Sequence, residues 1–224
     1  MWSTSRALKT LKDLKGKQVG IISRGDTFEI STKLALLRAG LPLDWVSYTA
    51  LGAFNNLTPA FVARSLPAVV LTDVDVEELR RRGALKEGEL IGDWIHDLPE
   101  PYSGIAVTDA YLKDHAGVVR GFLRATLKGV RYMKRYKPET IAIVEKFNHH
   151  PDPSIDAFDY DETIPLLTKN GTVPDSVLEK DMEVRASILG VPGAKMPPLS
   201  RAYDYTIVRQ VDAELDKNGW VPQR

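Results

Sequence analysis

The sequence predicts an α/β protein built on a mostly parallel sheet and followed by C-terminal helices. Three observations carry that expectation. From Lys15 onward, short apolar runs alternate with helical patterns; the first such unit reads as strand, tight turn and helix; and from Asp109 the periodicity is almost wholly helical.

The first unit sets the pattern. Gln18 to Ser23 is a buried-strand candidate, Arg24-Gly25-Asp26-Thr27 opens a helix reaching Ala39, and Gly40 is placed to end it. Ile30, Leu34, Leu37 and Leu41 recur at helical spacing and mark an inward face. Asp44 to Thr49 is rich in strand formers, Pro59 to Ser65 holds a short helix, and Ala68 to Leu71 is a further strand. A short charged helix follows over Val76 to Arg82, with another strand expected within Glu89 to Leu98. Pro99 and Pro101 introduce an extended crossing segment, Ser103 to Thr108, where a hinge is expected. The helix from about Ala116 to Tyr136 is strongly patterned, with Val119, Phe122, Leu123, Thr126, Leu127, Val130 and Met133 on one face. Pro138 starts another helix through Phe147, and helical pieces follow at Ser176 to Leu189 and Tyr203 to Leu215. Two domains are therefore expected: residues 1–107 as an α/β ligand-binding lobe and 108–224 as a helical part.

Composition removes several functions. The 224 residues hold 30 basic and 30 acidic side chains, so no net field draws the chain to nucleic acid or an anionic membrane. With no cysteine, thiolate metal sites, iron–sulfur clusters and cysteine nucleophiles are excluded. No apolar stretch approaches the roughly 20 residues that span a bilayer, so no membrane insertion is expected. Met1 to Leu14 carries Arg6, Lys9, Lys12 and Asp13 and lacks the apolar core of a secretory signal. No nucleophile elbow, Walker loop, dinucleotide fingerprint or His-Glu-x-x-His helix occurs, and no cofactor is implied. Arg120, Arg124, Lys128, Arg131 and Arg135 form a basic stripe that reads as a solvated helix face, with a docking surface for a transporter subunit second and a nucleic-acid surface the weakest alternative. His149 and His150 near Asp152, Asp156, Asp159 and Asp161 have metal-ligand chemistry but no established spacing, so a polar loop is the reading kept. Arg24-Gly25-Asp26 spells an adhesion tripeptide, a coincidence inside a strand-to-helix turn.

Four phrases, in this order across nearly the whole chain, carry a resemblance. They are Leu11 to Gly20 (Leu-Lys-Asp-Leu-Lys-Gly-Lys-Gln-Val-Gly), the turn Gly25-Asp26-Thr27 with Leu41 and then Leu51-Gly52, Tyr111-Leu112 followed by Val119 to Gly129, and Tyr203-Asp204-Tyr205. Together they resemble the nitrate/sulfonate/taurine-type and thiamine-precursor-type solute-binding proteins of ABC importers. The resemblance implies a periplasmic-binding-protein type II lobe, a small-molecule solute, an ABC transporter permease as partner and a periplasmic location, with cytoplasmic residence the alternative for a chain without a signal. It implies a second lobe whose first lobe is largely unrepresented. It also implies non-catalytic binding. Two alternatives stand beside it: an enzyme acting on a small metabolite, such as a pyrimidine-precursor synthase, whose cysteine-rich iron motif has no counterpart here, and an orphan lobe serving as an interaction or regulatory module.

The residues themselves place a binding site at the carboxyl ends of the strands, where helix N-termini and loops converge. Gly25 permits a tight turn, the helix start offers amides, Thr27 a hydroxyl, and Phe28 an apolar wall. Thr72 and Asp73 present a hydroxyl and a carboxylate at a second strand end, and Gly52 follows a third. Asp26 is read two ways, as a helix cap and as a carboxylate that disfavours an anionic ligand in favour of a neutral or amine-bearing one. Trp45, Tyr48 and Phe54 are candidates to stack on a flat ring, with a core position as the competing reading.

Overall fold

Short strands with β-branched and apolar residues form the centre of the first unit. The computed structural model describes residues 1–92, 103–148, 150, 152–190 and 195–223. Four strands, β1 (Trp2–Ser3), β2 (Gln18–Ile21), β3 (Ser47–Ala50) and β4 (Ala68–Val69), form one sheet in the order β1-β4-β2-β3. β2 runs parallel to both β3 and β4, whereas β1 is antiparallel to β4. The α/β class is thus as expected, and the sheet is mixed. The antiparallel edge comes from Trp2 and Ser3, two residues too short to show any period in the sequence. Leu90 bridges to Trp2 from the other side; residues 93–98 of the strand expected there lie outside the described residues, as do 99–102 of the hinge segment.

The described residues fall into two compact units, Met1–Glu100 with Lys180–Met196, and Pro101–Glu179 with Pro197–Arg224. In the first, β2 carries the sheet's centre: Val19 and Ile21 are wholly buried among Leu14, Leu36, Leu57, Phe61, Ala68 and Val69. Gly20 lies between them because a Cβ there would stand 3.0 Å from Leu66 Cδ1. Three helices surround this sheet: α1 (Thr27–Arg38), α2 (Leu57–Val62) and α3 (Asp73–Arg81). α1 is apolar on two sides. Phe28 and Leu36 join the sheet's core, while Ile30 and Leu34 pack against Ile188 and Val184. Leu37, expected to face inward, is 39 % exposed, because the two packing partners claim the sides on either side of it.

Helices make up the second unit. They are α4 (Asp109–Arg135), α5 (Lys137–Asn148), α6 (Ser154–Thr163), α8 (Leu199–Ala202) and α9 (Thr206–Lys217); α7 (Asp175–Leu189) begins in this unit and ends in the first. α4 is capped by Thr108, whose hydroxyl accepts from the Tyr111 amide at 3.1 Å. Its inward face is narrower than the periodicity suggests: Val119 and Leu127 are buried, Phe122 is 59 % exposed. α6 forms where the sequence reads as an acidic connection, since its four acidic positions mask an apolar side centred on the buried Ile155.

The basic stripe of α4 is corrected by the structure. Arg120 and Arg124 both pair with Glu214, and Arg131 reaches Asp212 and Asp216 at 2.7 Å each, so the stripe faces α9 rather than open solvent. Lys128 lies over the Trp220 ring at 5.0 Å. Between these charges sits a small apolar seam of Leu127, Val208, Val211 and Leu215. Among the described residues no helix is long and apolar enough to cross a membrane.

Candidate functional site

Parallel pairing of β2 with both neighbours sends three chain segments out at one edge of the sheet. The register continues past the strands: Val70 N bonds Gly20 O at 3.1 Å, and Leu51 N and Gly52 N bond Ile21 O and Ile22 O at 2.9 Å each. The segments that follow β2, β3 and β4 therefore share one rim, and Gly25, Asp26, Thr27, Gly52, Thr72 and Asp73 lie on it, with the Phe28 side chain turned away from it.

Asp26 is the cap of α1 and its carboxylate is fully engaged by backbone. Oδ1 accepts from Glu29 N at 2.8 Å, and Oδ2 accepts from Ser23 N at 2.8 Å and Ile22 N at 3.0 Å. This geometry holds the positive-φ turn at Gly25 (φ 78°) against the helix start. One carboxylate oxygen thus caps the third amide of α1 and the other holds the two amides that follow β2. Among the described residues the Thr27 and Phe28 amides, the first two of the helix, have no protein partner.

Other rim residues serve the fold as well. Thr72 closes a capping box: its hydroxyl donates to Asp75 Oδ2 at 2.7 Å and accepts from Asp75 N at 3.1 Å. Thr58 of α2 donates to the second Asp75 oxygen at 2.9 Å and ties the turn after β4 to the turn after β3. Phe28 does not line the rim. It is 2 % exposed and turned into the core, and the ring left in solvent is Phe54, 51 % exposed, which meets Phe28 edge to face at 5.9 Å. Trp45 packs on the core with its indole donating to Leu11 O at 3.0 Å, under Lys15.

Glu29 is a residue that motif reasoning passed over. It is buried at 2 %, accepts from Gly25 N at 2.8 Å, and pairs with Lys33 at 2.8 Å and Arg24 at 3.0 Å. Burial alone would raise its carboxyl, yet the Lys33 hydrogen bond, the Gly25 amide and the charges of Lys33 and Arg24 hold it below the ordinary glutamate value. The same burial, helped by the Glu29 charge, pushes the Tyr48 hydroxyl up, and that hydroxyl is buried with no partner among the described residues. Arg24 and Lys33 both lie over the Tyr48 ring. The Glu29-x-x-x-Lys33 spacing was the available signal. His150 bonds the buried Asp156 at 2.9 Å, His149 lies outside the described residues, and among those described no three metal-ligating side chains cluster.

Residues 1–140 match the family model described as NMT1/THI5 like. The chain belongs to the NMT1/THI5-like family. Three solved structures share the fold of this NMT1/THI5-like chain. One is a protein from Bordetella bronchiseptica RB50, 16 % identical, covering 91 % of this chain and 66 % of its own, with TM-score 0.69. The second is the alkanesulfonate-binding protein SsuA from Xanthomonas axonopodis pv. citri bound to MOPS, 15 % identical, with 94 % and 67 % covered and TM-score 0.63. The third, from Methylobacillus flagellatus KT, is described as the periplasmic sulfonate-binding protein SsuA of a sulfonate ABC transporter; it is 17 % identical, with 99 % and 67 % covered and TM-score 0.62. The chain spans about two thirds of the length of these structures. No curated protein matches it in sequence.

Proposed function

We propose that this chain captures a small organic solute without covalent chemistry and serves an ABC-type importer. Residues 1–107 act as a ligand-binding lobe of the periplasmic-binding-protein type, residues 108–224 as its helical companion, and a transporter permease is the partner. The family membership and the fold shared with sulfonate-binding proteins support this reading, as does the periplasmic description of the protein from Methylobacillus flagellatus KT. The observation that carries it is the rim: three parallel strand ends converge where the Thr27 and Phe28 amides have no partner among the described residues, beside a capped turn. Such amides are pre-aimed donors for an acceptor group on a solute. Asp26 accepts from the Ile22, Ser23 and Glu29 amides with its two oxygens and keeps its negative charge beside the helix start, which favours a neutral or amine-bearing solute over an anionic one.

A thermal-shift panel of sulfonates, small carboxylates, amidines and pyrimidines tests the reading. A true solute raises Tm with concentration, by about 2.7 kcal/mol of added stability at a hundredfold excess over Kd. Thr27→Pro removes one rim amide while keeping the helix, since proline suits the first helical position and Asp26 already has the extended backbone that must precede it (φ −73°, ψ 171°). It should weaken the best hit roughly tenfold with Tm of the free protein nearly unchanged. A panel without hits, or an affinity indifferent to Thr27→Pro, overturns the assignment.

A further inference from the structure

Phe54 carries an inference that deepens the solute-capture reading and rests on it. A phenylalanine at 51 % exposure leaves apolar area in water that folding could have buried, and its neighbour Phe28, at 2 %, shows that the core had room for an aromatic ring at this edge. The exposed ring is not loose. Phe28 meets it edge to face, with planes at 87°, so the contact occupies one side only. The backbone beneath it is held as firmly: Gly52 turns the chain at φ 83°, and Asn56 donates its side-chain amide to Leu51 O at 2.6 Å across the single turn of helix that Phe54 begins.

We propose that Phe54 is the specificity-determining residue of the rim, a fixed platform on which the flat, conjugated part of an aryl or heteroaryl solute stacks. An aromatic face attracts another π-system through offset or edge-on electrostatics that a saturated ring of similar size cannot reproduce. Of the aromatic residues beside these strand ends, Phe28 is buried in the core and Tyr48, within β3, sits beneath Arg24 and Lys33, while Trp45 precedes β3 at the opposite end of the strands, which leaves Phe54 as the ring offered to a guest.

Matched pairs that differ only in saturation test the proposal: benzenesulfonate against cyclohexanesulfonate, benzoate against cyclohexanecarboxylate, and benzamidine against cyclohexanecarboxamidine. Calorimetric titration of the wild-type chain should favour the unsaturated member of the binding pair by roughly three- to tenfold. Phe54→Leu should erase that preference and Phe54→Trp should restore it, each with a Tm close to wild type. Equal affinity within the pair, or a preference that survives Phe54→Leu, overturns the platform while leaving solute capture standing. Failure of every compound to bind the wild-type chain sinks the platform and the capture reading together.

Discussion

Glu29 shows how one side chain can set the shape of the rim. A buried carboxylate is costly unless it is paired and hydrogen-bonded, and here Lys33, Arg24 and the Gly25 amide meet that requirement while fixing the turn after β2. Glu29→Gln removes the charge and keeps the shape. We expect a loss of roughly 1.5–3 kcal/mol at pH 7, the range of a hydrogen bond to a charged group. The sign of its pH dependence follows from a folded-state carboxyl held below its ordinary value of 4.5: its stabilisation is complete above that value and disappears as pH falls through the lowered one. Thermal unfolding of both proteins from pH 7 to pH 3 should show the gap closing only on the acid side. A gap independent of pH would mean that the ion pairs contribute nothing. Asp26 was legible from sequence as a cap, because an aspartate before a helical run has few better uses. The direction of its second oxygen was not, because the Ile22 and Ser23 amides that take it are exposed only once β2 has ended.

At the scale of elements, periodicity located α1, α4, α5 and α9 but misjudged the faces of α1 and α4. A helix packed on two sides buries residues all round, so α1 shows no single apolar stripe, and Leu37 was assigned inward by spacing alone. On α4 the arginines were assigned to solvent because a charge run on one helix does not reveal an acidic partner helix some eighty residues later. Arg131 makes the test case. Its guanidinium is shared by Asp212 and Asp216 and is only 19 % exposed. Arg131→Met, which keeps much of the apolar stem, should lower stability by about 1 kcal/mol and flatten the salt dependence of unfolding, since screening then has fewer pairs to weaken. Melting curves in low and high salt read this directly. An unchanged salt slope would show the α4–α9 contact to be held by its apolar seam.

For the whole molecule, two units with separate cores imply separable stability. The first rests on the sheet and its helices, the second on the seam between α4 and α9. Leu215, 4 % exposed, belongs to that seam, and Leu215→Ala should cost about 2–5 kcal/mol within the second unit. Hydrogen exchange should then show early loss of protection in α9 and α4 while the β2 amides of Val19 to Ile21 stay protected. Equal loss in both units would instead make the chain one cooperative body.

By itself, the order of residues along the chain determined the α/β class, the strand–turn–helix opening, the helical second half and the three turns that now share a rim. These are local matters of period, propensity and turn chemistry, and they are written within a few residues of where they act. Only the tertiary structure decided that β1 joins the sheet antiparallel, that Phe54 rather than Phe28 faces solvent, that Thr72 spends its hydroxyl on Asp75, and that the arginines of α4 answer the acids of α9. Each of those depends on a partner brought near by folding, and the free energy that selects the partner is absent until both groups leave water together.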